Sequence, residues 1–328
     1  MLTRRRLVFA LGAGALASPL SSFAQPAAKV WRVGFLSQRH VNFVDADYYF
    51  GPFTQGMREL GYVAGKNLVI EWRSADGKLE RLPELAAELV RLKPDVLVTG
   101  ASPATRAAQK ATTTIPIVMS GVGDPVGAGL VKSLARPGGN STGVSNMVAE
   151  LTPKLLEMLR GMAPKVTRVA FLTRPAVTIT ALGYLQTAAE KIGVKVQPFE
   201  ATTSQEIANA FAAMAHHKVE ALIVLNDAFL NQQRNQIAEL AVKQRLPSIS
   251  GYSEYAEAGG LMNYGQNIRE GPRRAATYVD KIFKGAKPGD IPVEQPTRLE
   301  LFINRKTANA LGLNISNAML VQATKVIE

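Results

Sequence analysis

Short apolar runs bounded by polar or turn residues recur along the chain at residues 33–36, 96–98, 117–119, 169–172 and 222–225. Continuous hydrophobicity over so few positions predicts strands buried on both faces, as in parallel sheets covered by helices. The intervening segments carry a helical period instead. Leu82, Leu85, Ala86, Leu89 and Val90 fall on one face, and so do Leu155, Leu156, Leu159 and Met162. Gly61, Gly193, Gly285 and Gly312 stand just after predicted helix ends, where the backbone often needs positive φ. Strands alternating with helices predict an α/β fold.

The pattern occurs twice. Arg32-Val33-Gly34-Phe35-Leu36-Ser37 returns as Arg168-Val169-Ala170-Phe171-Leu172-Thr173. After each copy a helix ends at a glycine, Gly61 or Gly193, and a strand follows at 68–72 or 194–199. Residues 94–100 then answer to 220–226, and 115–120 to 246–251. Two α/β units of matching order bring two sets of strand-end loops into one molecule, and ligands of open parallel sheets bind at such ends. Two sets facing each other make a cleft.

Residues 1–24 read as an export signal and are set apart from the fold. Arg4, Arg5 and Arg6 precede an apolar stretch of small residues at 7–20, and Ser22-Phe23-Ala24 gives a small-x-small cleavage site before Gln25. The arginines suit the twin-arginine route and the general secretory route alike. The stretch is shorter than the ~20 residues of a spanning helix and is interrupted by Pro19. The chain has no cysteine, which excludes disulfides, thiolate chemistry and a lipid-anchoring cysteine. The expected location is the periplasm of a two-membrane bacterium.

Net charge is +12, of which Arg4, Arg5 and Arg6 supply three, leaving +9 from residue 25 onward. The excess is dispersed, with a mild cluster at Arg269, Arg273 and Arg274 and no basic stripe interleaved with aromatics. Nucleic acid is therefore not an expected partner, and the charge reads as a solvated surface with a bias toward anionic ligands.

The first-half loops offer Ser37-Gln38-Arg39-His40, then Ser102 before Pro103, then Ser120-Gly121 and Asp124 before Pro125. Proline suits the first turn of a helix, which makes Ser102 and Asp124 N-cap candidates. Backbone N–H groups at such a start also suit an anion, so Ser102 and Ser120 stay open between ligand contact and local capping, while Asp124 reads as a cap. In the second half the loops offer Thr173-Arg174, Asn226-Asp227 and Tyr252-Ser253. Tyr252 stacks on a ligand or covers the rim. Arg174 pairs with a carboxylate or is an ordinary exposed arginine. Asp227 meets an ammonium group or shapes a turn. Ser37, Gln38, Gly121, Thr173, Asn226 and Ser253 complete the candidate binding set.

Catalytic machinery is thin: His40, His216 and His217 are the only histidines, and no HExxH, GxSxG or Walker pattern occurs. Gly121-x-Gly123 with Gly127 imitates a dinucleotide loop but misses its spacing, so no cofactor is expected. No metal ligand set is expected either.

Several blocks in order carry a family resemblance over nearly the whole chain after residue 24. Glu59-Leu60-Gly61-Tyr62-Val63-Ala64-Gly65-Lys66-Asn67, Arg81-Leu82-Pro83-Glu84-Leu85-Ala86, Gly123-Asp124-Pro125-Val126-Gly127 and Leu134-Ala135-Arg136-Pro137-Gly138-Gly139-Asn140 are four of them. Ala258-Gly259-Gly260-Leu261-Met262-Asn263-Tyr264-Gly265 and Lys284-Gly285-Ala286-Lys287-Pro288 are two more. The chain resembles ABC-transporter substrate-binding proteins of the tryptophan/tyrosine-binding type. The resemblance implies a type I periplasmic binding fold, two Rossmann-like lobes with parallel sheets joined by three crossovers. Lobe 1 would comprise 25–144 plus 264–296 and lobe 2 145–263 plus 297–328, with 269–283 returning to the first lobe and 299–311 to the second. One departure is that relatives often carry Trp-Asn-Pro where this chain has Thr173-Arg174-Pro175.

The function so implied is a non-catalytic, monomeric periplasmic receptor. It would capture a small carboxylate-bearing solute, an amino acid or aromatic acid, and present it to an inner-membrane ABC permease with its ATPase. An exported α/β enzyme using the same cleft, or a ligand-sensing module for a signalling partner, are the alternatives.

Overall fold

The computed structural model describes residues 29–39, 43–146, 148–175, 178–295 and 298–328. The export signal expected at residues 1–24, and His40, lie outside the described residues. In chain order the first half forms β1 (Trp31–Ser37), α1 (Phe43–Glu59), β2 (Leu68–Ser74), α2 (Leu82–Arg91), β3 (Val96–Gly100), α3 (Ser102–Ala111), β4 (Ile117–Val122) and β5 (Ser141–Ser145). These strands make one sheet in the order β2-β1-β3-β4-β5, every pair parallel. Ser37 stands opposite both Ser74 and Gly100, so the C-terminal ends of β1, β2 and β3 finish together.

The second half runs α4 (Val148–Met162), β6 (Arg168–Thr173), α5 (Thr178–Lys191), β7 (Lys195–Glu200), α6 (Ser204–His216), β8 (Ala221–Val224), α7 (Ala228–Gln232), α8 (Arg234–Lys243), β9 (Ser248–Ser250), α9 (Ser253–Glu257) and β10 (Met262–Gly265). Then come α10 (Glu270–Phe283), β11 (Glu300–Asn304), α11 (Arg305–Ala310), α12 (Asn317–Gln322) and β12 (Lys325–Ile327). Its sheet has the order β12-β11-β10-β9-β8-β6-β7. Read from β7, the first five strands repeat the order of the first sheet, which is the repeat seen in the sequence. Trp31–Glu328 form one compact unit.

One pair departs from the parallel expectation: β10 and β11 are antiparallel, with Gly265 opposite Glu300 and Met262 opposite Ile303. The reason is the path of the chain. It leaves the sheet at the end of β10, visits the first sheet as α10, and re-enters beside the point where it left. A strand laid next to β10 from that end runs the other way. β12 then pairs in parallel with β11.

The chain therefore crosses between the sheets after β5, after β10 and before β11. The third crossing is tied to the first, because Ser145 N–H donates to the Glu294 carbonyl at 2.8 Å and Glu294 N–H donates to the Gly143 carbonyl at 3.0 Å.

β1, β3 and β4 of the first sheet each feed two cores, as their apolar runs require. Val33, Val96, Val98 and Val118 pack with Ala275, Ala276, Tyr278 and Val279 of α10. On the opposite face Leu36, Leu97 and Ile117 pack with Leu82, Leu85, Ala86 and Leu89 of α2 and with Ala104, Ala107 and Ala108 of α3. Burying each large aliphatic side chain contributes roughly 1.5–3 kcal/mol relative to exposure. A late helix thus completes an early layer. Its approach is close: a Cβ on Gly56 of α1 would lie 2.9 Å from the Ala276 Cβ, so glycine lets α1 and α10 touch. Tyr62 donates to Asp280 of α10 at 3.0 Å, and burial together with that carboxylate pushes the phenol up to about 12.

In the second half, Phe171, Ile223, Ile249 and Ile303 belong to one core with Leu155, Leu156, Leu159 and Met162 of α4. Tyr255 is buried there and donates to Ser248 Oγ at 2.8 Å. Burial pushes its phenol well above the ordinary range, keeping it a donor at neutral pH.

Candidate functional site

Parallel strands place their loops at one edge, and the first loop of each half, after β1 and after β6, brings an arginine there. Gln38 and Arg39 follow β1, and Arg174 follows β6. With Leu79, Phe229 and Gln232 they line one small cavity between the two halves, about 10 Å³ in volume, room for about one water. Arg39 also reaches the β9 loop of the other half, its guanidinium carbon 5.9 Å from the Tyr252 ring centroid.

Local bonds fix each group. Ser37 is 3 % exposed, and its hydroxyl accepts the Arg39 N–H at 3.1 Å, curling the chain at the strand end. Ser74 at the end of β2 donates its hydroxyl to the Arg39 carbonyl, and the Gln38 carbonyl accepts Gly77 N–H at 2.8 Å. The Gln38 side chain is 8 % exposed, and its Oε1 has no hydrogen-bond partner. A buried amide oxygen left in this way favours a donor from outside the protein.

Across the cavity, Arg174 is not the exposed arginine that one reading of the sequence allowed. Its side chain is 15 % exposed, with Nη1 3.6 Å from Asp227 Oδ2 and the guanidinium carbon 5.4 Å from the Phe229 ring centroid. Asp227 does the structural work expected of a strand-end aspartate. Its Oδ1 accepts N–H from Phe229 at 2.8 Å and from Leu230 at 3.2 Å, capping α7. The cap aims α7 so that Phe229 and Gln232 reach the cavity.

The other candidates are placed away from the cavity lining. Asn226 Oδ1 accepts Gly251 N–H at 2.6 Å and so joins the ends of β8 and β9. Thr173 is fully buried at the end of β6, where its carbonyl accepts Ala201 N–H at 3.0 Å. Tyr252 is 6 % exposed and sits at the cap of α9. Ser253, beside it, donates to Glu254 Oε2 at 3.2 Å.

Ser120 and Gly121 lie on a register shift between β4 and β5, with Gly271 of α10 packed against their backbone. Ser102 is the first residue of α3, not its cap. Ala101 takes the cap position at φ 72°, and the Ser102 hydroxyl donates to the Gly123 carbonyl at 3.3 Å. No helix follows Pro125 either. Asp124 adopts φ 35° and accepts Gly127 N–H on Oδ1 at 2.7 Å, which closes a turn across 125–129.

The structure therefore unites Gln38, Arg174 and, through their contacts, Asp227 and Tyr252. It adds Arg39, Leu79, Phe229 and Gln232, which sequence reasoning left out. Arg39 stood in the quoted loop. Phe229 and Gln232 are helical positions whose role depends on how the halves meet. Among the described residues, no cluster of three or more His, Cys, Asp or Glu suited to a metal ion occurs, and no helix is long and apolar enough to cross a membrane.

Comparison with known proteins bears on the family and the fold. The family model described as ABC transporter substrate binding protein matches residues 45–327. A "Tyrosine-binding protein" of Clostridioides difficile (strain R20291) is 28% identical over 263 residues, covering 80% of this chain and 75% of that protein.

Among solved structures, a conserved domain protein from Vibrio cholerae has a TM-score of 0.84 at 30% identity, covering 91% of this chain and 100% of the other. The ABC domain in complex with L-Trp from Streptococcus pneumonia has a TM-score of 0.83 at 27% identity, covering 90% and 99%. The ligand-free, open structure of a substrate binding protein with adhesive properties from Clostridium difficile gives 0.68 at 26% identity, covering 91% and 99%. With a type I binding fold and a match over most of its length, this chain belongs to the ABC transporter substrate-binding protein family.

Proposed function

We propose that this protein is a periplasmic receptor that captures a small carboxylate-bearing solute, an amino acid or aromatic acid, between its two halves. It then presents the solute to an inner-membrane permease with its ATPase, acting as a monomer. Its family consists of solute-binding proteins, and the chain is a binding protein and not an enzyme. The lobes in this reading are 25–144 plus 264–296 and 145–263 plus 297–328. Sheet membership supports its outline, with α10 on the first sheet and β11 in the second, while Ser145 of β5 and Tyr264 and Gly265 of β10 fall across the stated bounds.

The observation that carries the ligand chemistry is the pair Arg39 and Arg174, one from each half, on a single cavity that also holds the unsatisfied Gln38 oxygen. Guanidinium groups recognise carboxylates through paired N–H donors. A ligand touching both halves stabilises the closed arrangement over the open one by the contacts made only when closed. The chain is more similar to the L-Trp complex than to the ligand-free open relative at nearly equal identity, which supports a closed arrangement here.

Native mass spectrometry of protein purified without denaturation is expected to find a retained organic acid, and small-angle scattering a more compact particle when that acid is saturating. Arg39→Gln is expected to weaken its binding at least tenfold, the loss of a charge-assisted hydrogen bond of roughly 1.5–3 kcal/mol. Identical scattering profiles with and without bound acid, or wild-type affinity in Arg39→Gln, would defeat this reading. The leader belongs to the same proposal: the mature protein is expected to begin at Gln25 in the soluble periplasmic fraction. N-terminal sequencing that finds residue 1 on membrane-bound protein would count against it.

A further inference from the structure

A far larger hollow lies on the second half, a groove of about 1110 Å³ between α4 and α5. Pro153, Leu156 and Ala188 line it together with Tyr184 and Ile192, whose side chains stand 47 % and 44 % exposed. Its charged lining is Lys154, Glu157, Arg160 and Lys191. Lys154 Nζ meets Glu157 Oε1 at 2.6 Å, and Arg160 donates from Nη1 to the Val166 carbonyl at 3.1 Å. Neither Arg160 nor Lys191 has a carboxylate partner among the described residues, so the lining keeps an excess of two positive charges. α4 ends at Met162 ahead of β6, and α5 ends at Lys191 ahead of β7. Both helices therefore run away from the strand-end loops that hold the cavity, and Arg160, Lys191 and Ile192 gather at the opposite edge of the sheet. Cations in the last turn of a helix are ordinary. An open apolar groove leading up to them is not.

We infer that this face docks reversibly on an anionic lipid bilayer, a binding property separate from solute capture. Long cationic side chains bordering apolar surface can set their charge among headgroup phosphates while tyrosine and isoleucine enter the interface below them. The charge complementarity is with a surface of diffuse negative charge. Apart from the charged groups, the lining offers only the hydroxyls of Tyr184 and Thr187, too few directional groups to read the pattern of an acidic protein helix. From residue 25 onward the chain carries +9 in dispersed form, which draws it toward any anionic surface before the groove makes contact. A second copy on the same face would instead oppose like charges. Because the groove and the cavity lie toward opposite edges of the second sheet, docking leaves the cavity open to solute.

Vesicle flotation at low salt tests this on the chain without residues 1–24, which retains the whole compact unit. The protein is expected to float with vesicles of equimolar phosphatidylcholine and phosphatidylglycerol and not with phosphatidylcholine alone. The double variants Arg160→Gln with Lys191→Gln, and Tyr184→Ser with Ile192→Ser, are each expected to weaken that binding at least about tenfold. Matched pairs on the first half serve as controls: Lys66→Gln with Lys110→Gln removes equal charge, and Leu60→Ser with Val126→Ser removes exposed apolar surface. These are expected to bind within about twofold of the unsubstituted protein. Equal losses in the groove pairs and their controls would leave only attraction by dispersed charge and overturn the inference. So would flotation that Tyr184→Ser with Ile192→Ser leaves unchanged, or no flotation with anionic vesicles at all. A dimer in sedimentation equilibrium that the same apolar pair dissociates would assign the groove to a second copy instead. These outcomes are independent of the solute reading, which native mass spectrometry tests by itself.

Discussion

Gly143→Ala is expected to destabilise the protein by about 3–5 kcal/mol, at the upper end of what single substitutions do. Gly143 lies in β5 at φ 134°, and a Cβ there would stand 2.2 Å from the Met119 carbonyl oxygen and 2.5 Å from the Met119 nitrogen. Both atoms are backbone of the adjacent strand, so no side chain can rotate away, and relief requires β4 and β5 to separate. Those strands are the ones carrying the register shift beside the first crossover.

The control is Gly139→Ala, at φ 65° with nothing within 4 Å of the added carbon. It meets only the left-handed backbone penalty of about 1–2 kcal/mol. Urea denaturation of the two variants separates steric overlap from backbone strain. A Gly143→Ala loss no larger than that of Gly139→Ala would mean that the strand contact yields easily.

Asp227→Ala is the second large effect, with an expected loss of about 3 kcal/mol. Two terms combine. Removing a helix cap costs about 1 kcal/mol, and Phe229 and Leu230 N–H lose their acceptor. Removing one partner of a buried ion pair costs about 3–5 kcal/mol, discounted here because the contact to Arg174 is 3.6 Å, longer than a hydrogen bond. Asp227→Asn keeps an oxygen for the cap and loses only the charge, so it should recover about 1 kcal/mol of the loss. Thermal melts of the two variants check the split. Equal losses would remove the cap from the account, and an Asp227→Ala loss below about 1 kcal/mol would make the ion pair negligible.

The parts of the fold legible in the sequence are those set by local pattern. The repeated Arg-Val-x-Phe-Leu blocks became β1 and β6, at equivalent positions in their sheets, because a run buried on both faces has few other places to go. Gly61 and Gly193 take positive φ, at 91° and 68°, just past the helices they end.

Other parts depend on bonds that no pattern announces. Asp124-Pro125 suits a helix start and a turn equally, and the turn forms because the carboxylate finds Gly127 N–H. Ser102 loses the cap position because Ala101 takes an unusual backbone angle.

The site was half legible for a similar reason. Strand-end loops name Gln38 and Arg174. Phe229 and Gln232 join only through the aim of α7, and Arg39 meets the Tyr252 ring from the other half of the chain. That the sheet continues as an antiparallel pair through β11 was likewise hidden, since it follows from where the chain re-enters and not from the residues that pair.

On the proposed reading, in which the two halves close on a solute and the closed form meets a transporter, the guanidinium of Arg39 over the Tyr252 ring has a consequence for the empty protein. A contact of this kind contributes roughly 0.5–1 kcal/mol without any solute, raising the ratio of shut to gaping molecules about two- to fivefold. Solute then finds more of the population already shaped to hold it, and affinity gains accordingly. The same bias supplies shut but vacant molecules, each able to occupy a transporter without delivering cargo. Weakening the contact would trade uptake at low solute for fewer such idle encounters.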